Sequence, residues 1–150
     1  MRKGKMKNSI VTIAMAMMLS VTAVVGFGVP VKAANTVDKW FSYSNDKPAG
    51  SSSWRDKQND SKVYVYPTTG PKINYEVNGR KKIASTEQYK SFQGSYAHAI
   101  PTGTKASITN WVNESGGTEA RLLMGRISSS LLDTAGYWSP DSSRNYTIFG

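Results

Sequence analysis

The segment "KVYVYPTTGPKINYEVNGRKKIAS", residues 62–85, carries the fold in its alternation. Val63 and Val65 share one face of an extended chain and Tyr64 and Tyr66 the other, because successive side chains of a strand point to opposite sides. Pro67 and Pro71 bracket a turn. Beyond it Ile73, Tyr75 and Val77 alternate with Lys72, Asn74 and Glu76 as far as Asn78-Gly79. That pair suits a two-residue turn, whose central positions both need positive φ, so a hairpin is expected to reverse there and return through Ile83.

The same pattern runs outward in both directions. "VDKWFSYS" at 37–44 reads as a strand with Trp40 and Phe41 on opposite faces, and the polar stretch "NDKPAGSSSW" after it as a surface loop. "SYAHAIP" at 95–101 is a strand closed by proline, and "KASITNWVN" at 105–113 with "TEARLLMGRIS" at 118–128 forms a second hairpin around "ESGG". "LLDTAGYW" at 131–138 and "NYTIF" at 145–149 are the last strands. Helical periodicity is nearly absent; only Ser85–Gln88 has the form of a short helical turn. Short strands punctuated every dozen residues or so predict an all-β domain, a single antiparallel β-sandwich of about seven to nine strands.

The first 33 residues are excluded from that fold, because they carry the parts of a secretory signal peptide in order. Arg2, Lys3, Lys5 and Lys7 precede an uncharged run from Asn8 to Val31, which ends in Gly26, Gly28 and Pro30. Val31 and Ala33 place small residues where a signal peptidase requires them, so cleavage is expected between Ala33 and Ala34, with residues 34–150 as a secreted domain. About 20 apolar residues can also span a bilayer, but glycines and a proline at the end of the run favour cleavage over a permanent anchor. With no cysteine in the chain, an acylated N-terminal cysteine is excluded.

The secreted part would be 117 residues, the size of one domain. Five of the 19 basic residues lie in the leader, leaving 14 against 10 acidic groups and a net charge of +4 rather than +9. That excess suits an anionic envelope surface and is too small and dispersed for nucleic acid.

Chemistry has few carriers here. His98 is the one histidine and stands without a Gly-x-Ser-x-Gly elbow; a single histidine in a chain lacking cysteine cannot build the usual zinc sites. "SNDKPAG" and "SPDSSRN" offer oxygen ligands without the spacing of a calcium loop. No catalytic residue, metal site or cofactor is therefore expected. Aromatic residues are plentiful, and those opposite the aliphatic face of their own strands, Tyr64, Tyr66 and Trp111, are the candidates for an exposed ligand-binding strip. Near the C-terminus Tyr137 and Trp138 must face opposite ways, and Asp141 or Ser142 is placed to cap backbone donors.

"AGYWSPDS" at 135–142, with "ITNWVNESGGTEARL" at 108–122 and "WRDKQNDSKVYVYP" at 54–67, resembles a family of uncharacterised small secreted β-rich proteins of Gram-positive bacteria ending in Gly-x-Trp-Ser-Pro-Asp-Ser. The resemblance implies a signal peptide and one β-rich domain, and it brings no activity, ligand or catalytic residue. The absence of cysteine in an exported chain suits the same source. The expectation is a secreted, non-enzymatic protein that binds wall polymer, a membrane surface or a surface protein. The alternative is a bacteriocin-like antagonist of other bacteria.

Overall fold

The computed structural model describes residues 34–150; the expected signal peptide lies outside the described residues. Within them the chain is all-β, with eleven strands: β1 Lys39–Tyr43, β2 Ala49–Ser51, β3 Arg55–Asp56, β4 Val63–Thr69, β5 Ile73–Lys82, β6 Tyr89–Gln93, β7 His98–Ile100, β8 Ala106–Ile108, β9 Glu119–Gly125, β10 Thr134–Ser139 and β11 Thr147–Phe149. They form two sheets. One has the order β1-β10-β4-β8-β11 and the other β2-β9-β5-β6, with β3 also pairing β9 and β7 pairing β5. The count exceeds the expected seven to nine because several strands are only two or three residues long.

The inward faces are the aliphatic ones that alternation marked. Val63 and Val65 of β4 meet Ile73, Tyr75 and Val77 of β5 in a core completed by Leu122 and Trp138. Phe41 packs edge-on against Tyr75, ring centroids 5.8 Å apart. Burying such side chains contributes about 1.5–3 kcal/mol each, which makes the sheet-to-sheet interface the main source of stability.

Four local expectations are corrected. Asn78-Gly79 is not a turn: β5 runs straight through it for ten residues. Both are buried, and Gly79 lies opposite Phe92, whose ring comes within 2.8 Å of where a Cβ would stand. Asn78 Nδ2 donates to the Phe92 carbonyl at 2.8 Å. Pairing with β9 on one side and β6 on the other outweighs the local turn preference. The reversal falls at 83–88, where Ser85 takes a φ of 63° and Ile83 N donates to Gln88 O at 2.9 Å; no helical turn forms there.

Pro67 lies inside β4 rather than in the turn after it. Lacking an N–H, it sits beside an irregularity: Thr69 pairs Ala135 and Pro67 pairs Gly136, leaving Thr68 bulged. Strand β8 stops at Ile108, so Trp111 lies in a loop and alternation does not orient it. The buried Asn110 diverts the chain there, donating to Ser61 O at 3.2 Å and accepting from Val112 N at 3.4 Å.

The sandwich is also not wholly antiparallel, because β11 pairs with β8 in parallel. Strands β10 and β11 run in the same direction, so residues 140–146 must travel back before β11 begins. They do so across the outer face, where Arg144 O accepts from Ser107 Oγ at 3.2 Å.

Candidate functional site

The outer face of the first sheet carries a row of aromatic side chains. Trp40 points away from the core because Phe41 and Tyr43 point into it, and Tyr137 points away because Trp138 is buried. Register then aligns the residues that alternation only oriented. Trp40 of β1 lies opposite Tyr137 of β10, which lies opposite Tyr66 of β4. With neighbouring strands about 4.8 Å apart, three aromatic side chains stand abreast on one surface.

Trp40 is 54% exposed, Tyr137 42%, and Tyr66 is half-buried. The Trp40 and Tyr137 rings meet edge to face, centroids 5.1 Å apart at 77°, so the row presents a corner rather than a flat plate. Lys105 Nζ lies 5.4 Å from the Tyr66 ring centroid. At the other end, Trp40 also borders a groove of about 300 Å³ lined with Lys39, Ser53, Arg55 and Trp138. Arg55 is held rigidly there: it donates to Trp138 O at 2.9 Å and Val37 O at 2.6 Å. Burial pulls its guanidinium below its ordinary pKa, with Asp38 and Asp141 opposing the shift. The surface thus offers π faces flanked by cations, an arrangement that stacks on the apolar faces of ring-shaped ligands and attracts anionic ones.

Of the three sequence candidates, only Tyr66 belongs to this row. Tyr64 is on the same outer face but 3% exposed, because the returning segment covers it. Tyr146 packs on its ring at 5.2 Å and Arg144 lies 5.9 Å from its centroid. Burial, reinforced by Asp38 and Tyr146, pushes the Tyr64 phenol up to about 12. Trp111 sits beside the second sheet, donating Nε1–H to Gln93 O at 2.9 Å and meeting Tyr96 edge-on at 5.3 Å. The exposed strip Tyr64–Tyr66–Trp111 is therefore replaced by Trp40–Tyr137–Tyr66. The sequence held only that Trp40 and Tyr137 face opposite to Phe41 and Trp138; it lacked which of each pair faces water and which strands lie side by side.

The Trp-Ser-Pro-Asp-Ser stretch beside this surface closes the domain. Asp141 is fully buried against Lys57, Oδ1 to Nζ at 2.8 Å, and its Oδ2 accepts from Asn35 N at 2.8 Å and Gln58 N at 3.0 Å. Lys57 Nζ donates also to Asn59 O at 2.8 Å and Ser61 O at 2.6 Å. Burial pulls the Lys57 ammonium below the usual lysine pKa, and Asp141 opposes that shift. The expected capping role of Asp141 is thus extended to two distant segments at once, at Asn35 and at Lys57–Gln58.

His98, the one residue on which a hydrolytic reading could lean, packs beside Phe149 with ring centroids 6.0 Å apart. Among the described residues no group of three or more His, Asp or Glu side chains is placed to hold a metal ion.

No curated protein and no solved structure matches the chain. A family model does match, over residues 29–142, a span that begins in the undescribed N-terminal segment and ends one residue beyond the Asp141 latch. The protein therefore belongs to the family described as "Protein of unknown function (DUF2712)".

Proposed function

We propose that this is a secreted, non-enzymatic binding module that attaches to an anionic, sugar-bearing polymer of the cell envelope. The row Trp40–Tyr137–Tyr66 carries the reading, since three aligned, solvent-facing aromatics on a rigid sheet are more than a soluble domain needs outside its core. Lys39, Arg55 and Lys105 around the row supply the complement to negative charge. The edge-to-face corner of Trp40 and Tyr137 suits a single polymer chain, with one ring stacked and its neighbour abutting, better than a flat ordered surface. Export rests on the charged and apolar stretches of residues 1–31, with cleavage between Ala33 and Ala34.

Retention of purified residues 34–150 on isolated bacterial cell walls tests the reading. Binding is expected at low salt and should weaken as salt screens the cations. Trp40→Ala with Tyr137→Ala should cost at least about 2 kcal/mol, roughly thirtyfold in affinity. Absence of retention at low salt, or retention that the double substitution leaves unchanged, would sink the proposal.

A further inference from the structure

One end of the sandwich, remote from the returning C-terminal segment, carries a loop with its apolar side chains facing outward. Between β9 and β10, Ile127 is 44% exposed, Leu131 64% and Leu132 71%. Loops that place leucine in water are usually loose, but this one is held from beneath. Asn45, fully buried, donates through Nδ2 to the Leu132 carbonyl and, at 3.1 Å, to Thr134 Oγ1. Leu132 N donates to Ser130 Oγ at 3.3 Å, so both backbone groups of the most exposed leucine are satisfied while its side chain stays outside. Arg126 Nη1 donates to Asn45 O at 2.9 Å, and Ser44 Oγ to Asp133 Oδ1 at 3.0 Å. The loop is thus braced in a shape that holds three apolar side chains out.

The charge around this tip selects its occupant. Lys47, Lys72 and Arg126 are exposed at the same end against Asp46 and Asp133, an excess of one positive charge. An apolar point ringed by a cationic excess matches the surface of an anionic bilayer, where leucines enter the acyl boundary and cations meet the headgroups. We propose that residues 126–133 form a lipid-insertion tip, by which the domain docks end-on to membranes bearing anionic headgroups. The tip is on neither the aromatic row nor its groove, so it rests on no part of the polymer-binding reading.

Co-sedimentation with vesicles of phosphatidylcholine, with and without phosphatidylglycerol, tests it. Binding is expected only with the anionic lipid. Leu131→Asp with Leu132→Asp, both at solvent-facing positions, should reduce it by about tenfold per leucine without altering thermal unfolding. Trp40→Ala should leave vesicle binding unchanged, which separates this proposal from the preceding one. The chain has no cysteine, so a polarity-sensitive dye can be placed by Leu131→Cys and, for reference at the opposite end, by Ser85→Cys. A blue shift at the first position and none at the second supports insertion. Failure of the wild-type domain to bind anionic vesicles, binding indifferent to the leucine substitutions, or a dimer in sedimentation velocity that those substitutions dissolve would each overturn the proposal.

Discussion

An ammonium and a carboxylate wholly out of water, as Lys57 and Asp141 are, attract each other strongly, yet each has given up a hydration shell worth several kcal/mol. The pair is tolerable only because every remaining valence is used: two carbonyls on Lys57 and two amides on Asp141. Removing one partner should therefore cost far more than the pair's net worth. Asp141→Ala leaves the Lys57 charge and the Asn35 and Gln58 amides without a partner, and is expected to lower stability by about 3–5 kcal/mol. Lys57→Met with Asp141→Leu should recover part of that loss, since no charge is stranded, while remaining below wild type because the amides still lack an acceptor. Urea unfolding midpoints of the three proteins check this; a cost under about 1 kcal/mol for Asp141→Ala would mean the pair is not the closure described. The capping chemistry of Asp141 was legible in its turn-rich surroundings. Its partner was not, because Lys57 lies 84 positions away and nothing in a polar loop marks one lysine as buried.

At the level of the strand, alternation was informative wherever long-range pairing agreed with local preference. It marked the inward faces of β4 and β5, and on β1 and β10 it gave the opposition of Trp40 to Phe41 and of Tyr137 to Trp138 without saying which of each pair is buried. It failed at Asn78-Gly79, where a good turn pair is used as strand, because the glycine is needed for the approach of Phe92 rather than for positive φ. It failed equally at Trp111, where a strand-like pattern continues past the point at which Asn110 turns the chain. Gly136 makes the same point about close approach. A Cβ there would collide with the Tyr66 carbonyl beside the bulge, in the middle of the aromatic row. Gly136→Ala is expected to lower stability by about 1–3 kcal/mol, the usual cost of overpacking. It should also weaken wall retention by shifting Tyr137 against Tyr66. Gly125→Ala is the control, for its nearest contact beyond the chain neighbours would be Pro48 O at 3.9 Å, and it should stay within about 0.5 kcal/mol of wild type. Equal effects of the two substitutions on the unfolding midpoint would show that β10 and β4 do not approach as closely as described.

For the whole molecule, the decisive feature is that the sandwich is closed on its outer side as well as its inner. Residues 143–149 cross the first sheet, cover Tyr64 and then pair β11 with the edge of β8. Short alternating strands made the two-sheet architecture legible, but a parallel terminal strand leaves no local trace, and with it went the burial of Tyr64. Deleting residues 143–150 spares the Asp141 latch and the row Trp40–Tyr137–Tyr66 while uncovering Tyr64 and the edge of β8. The Tyr64 phenol, held up to about 12 chiefly by burial, should then titrate near the ordinary tyrosine value of about 10. In the full chain the folded state keeps this proton where the unfolded chain loses it. The stabilisation from Tyr64 is therefore complete below about pH 10 and is lost as pH rises toward about 12. The truncated protein should lack that decline and should also self-associate more readily, since a bare strand edge pairs with other chains. Ultraviolet titration of phenolate in both proteins, with Tyr64→Phe separating the Tyr64 ionisation from that of Tyr75, which burial also raises, measures the first effect, and light scattering at neutral pH the second. A Tyr64 ionisation that stays near 12 after truncation would show that the sheet itself, and not the returning segment, keeps water from the ring.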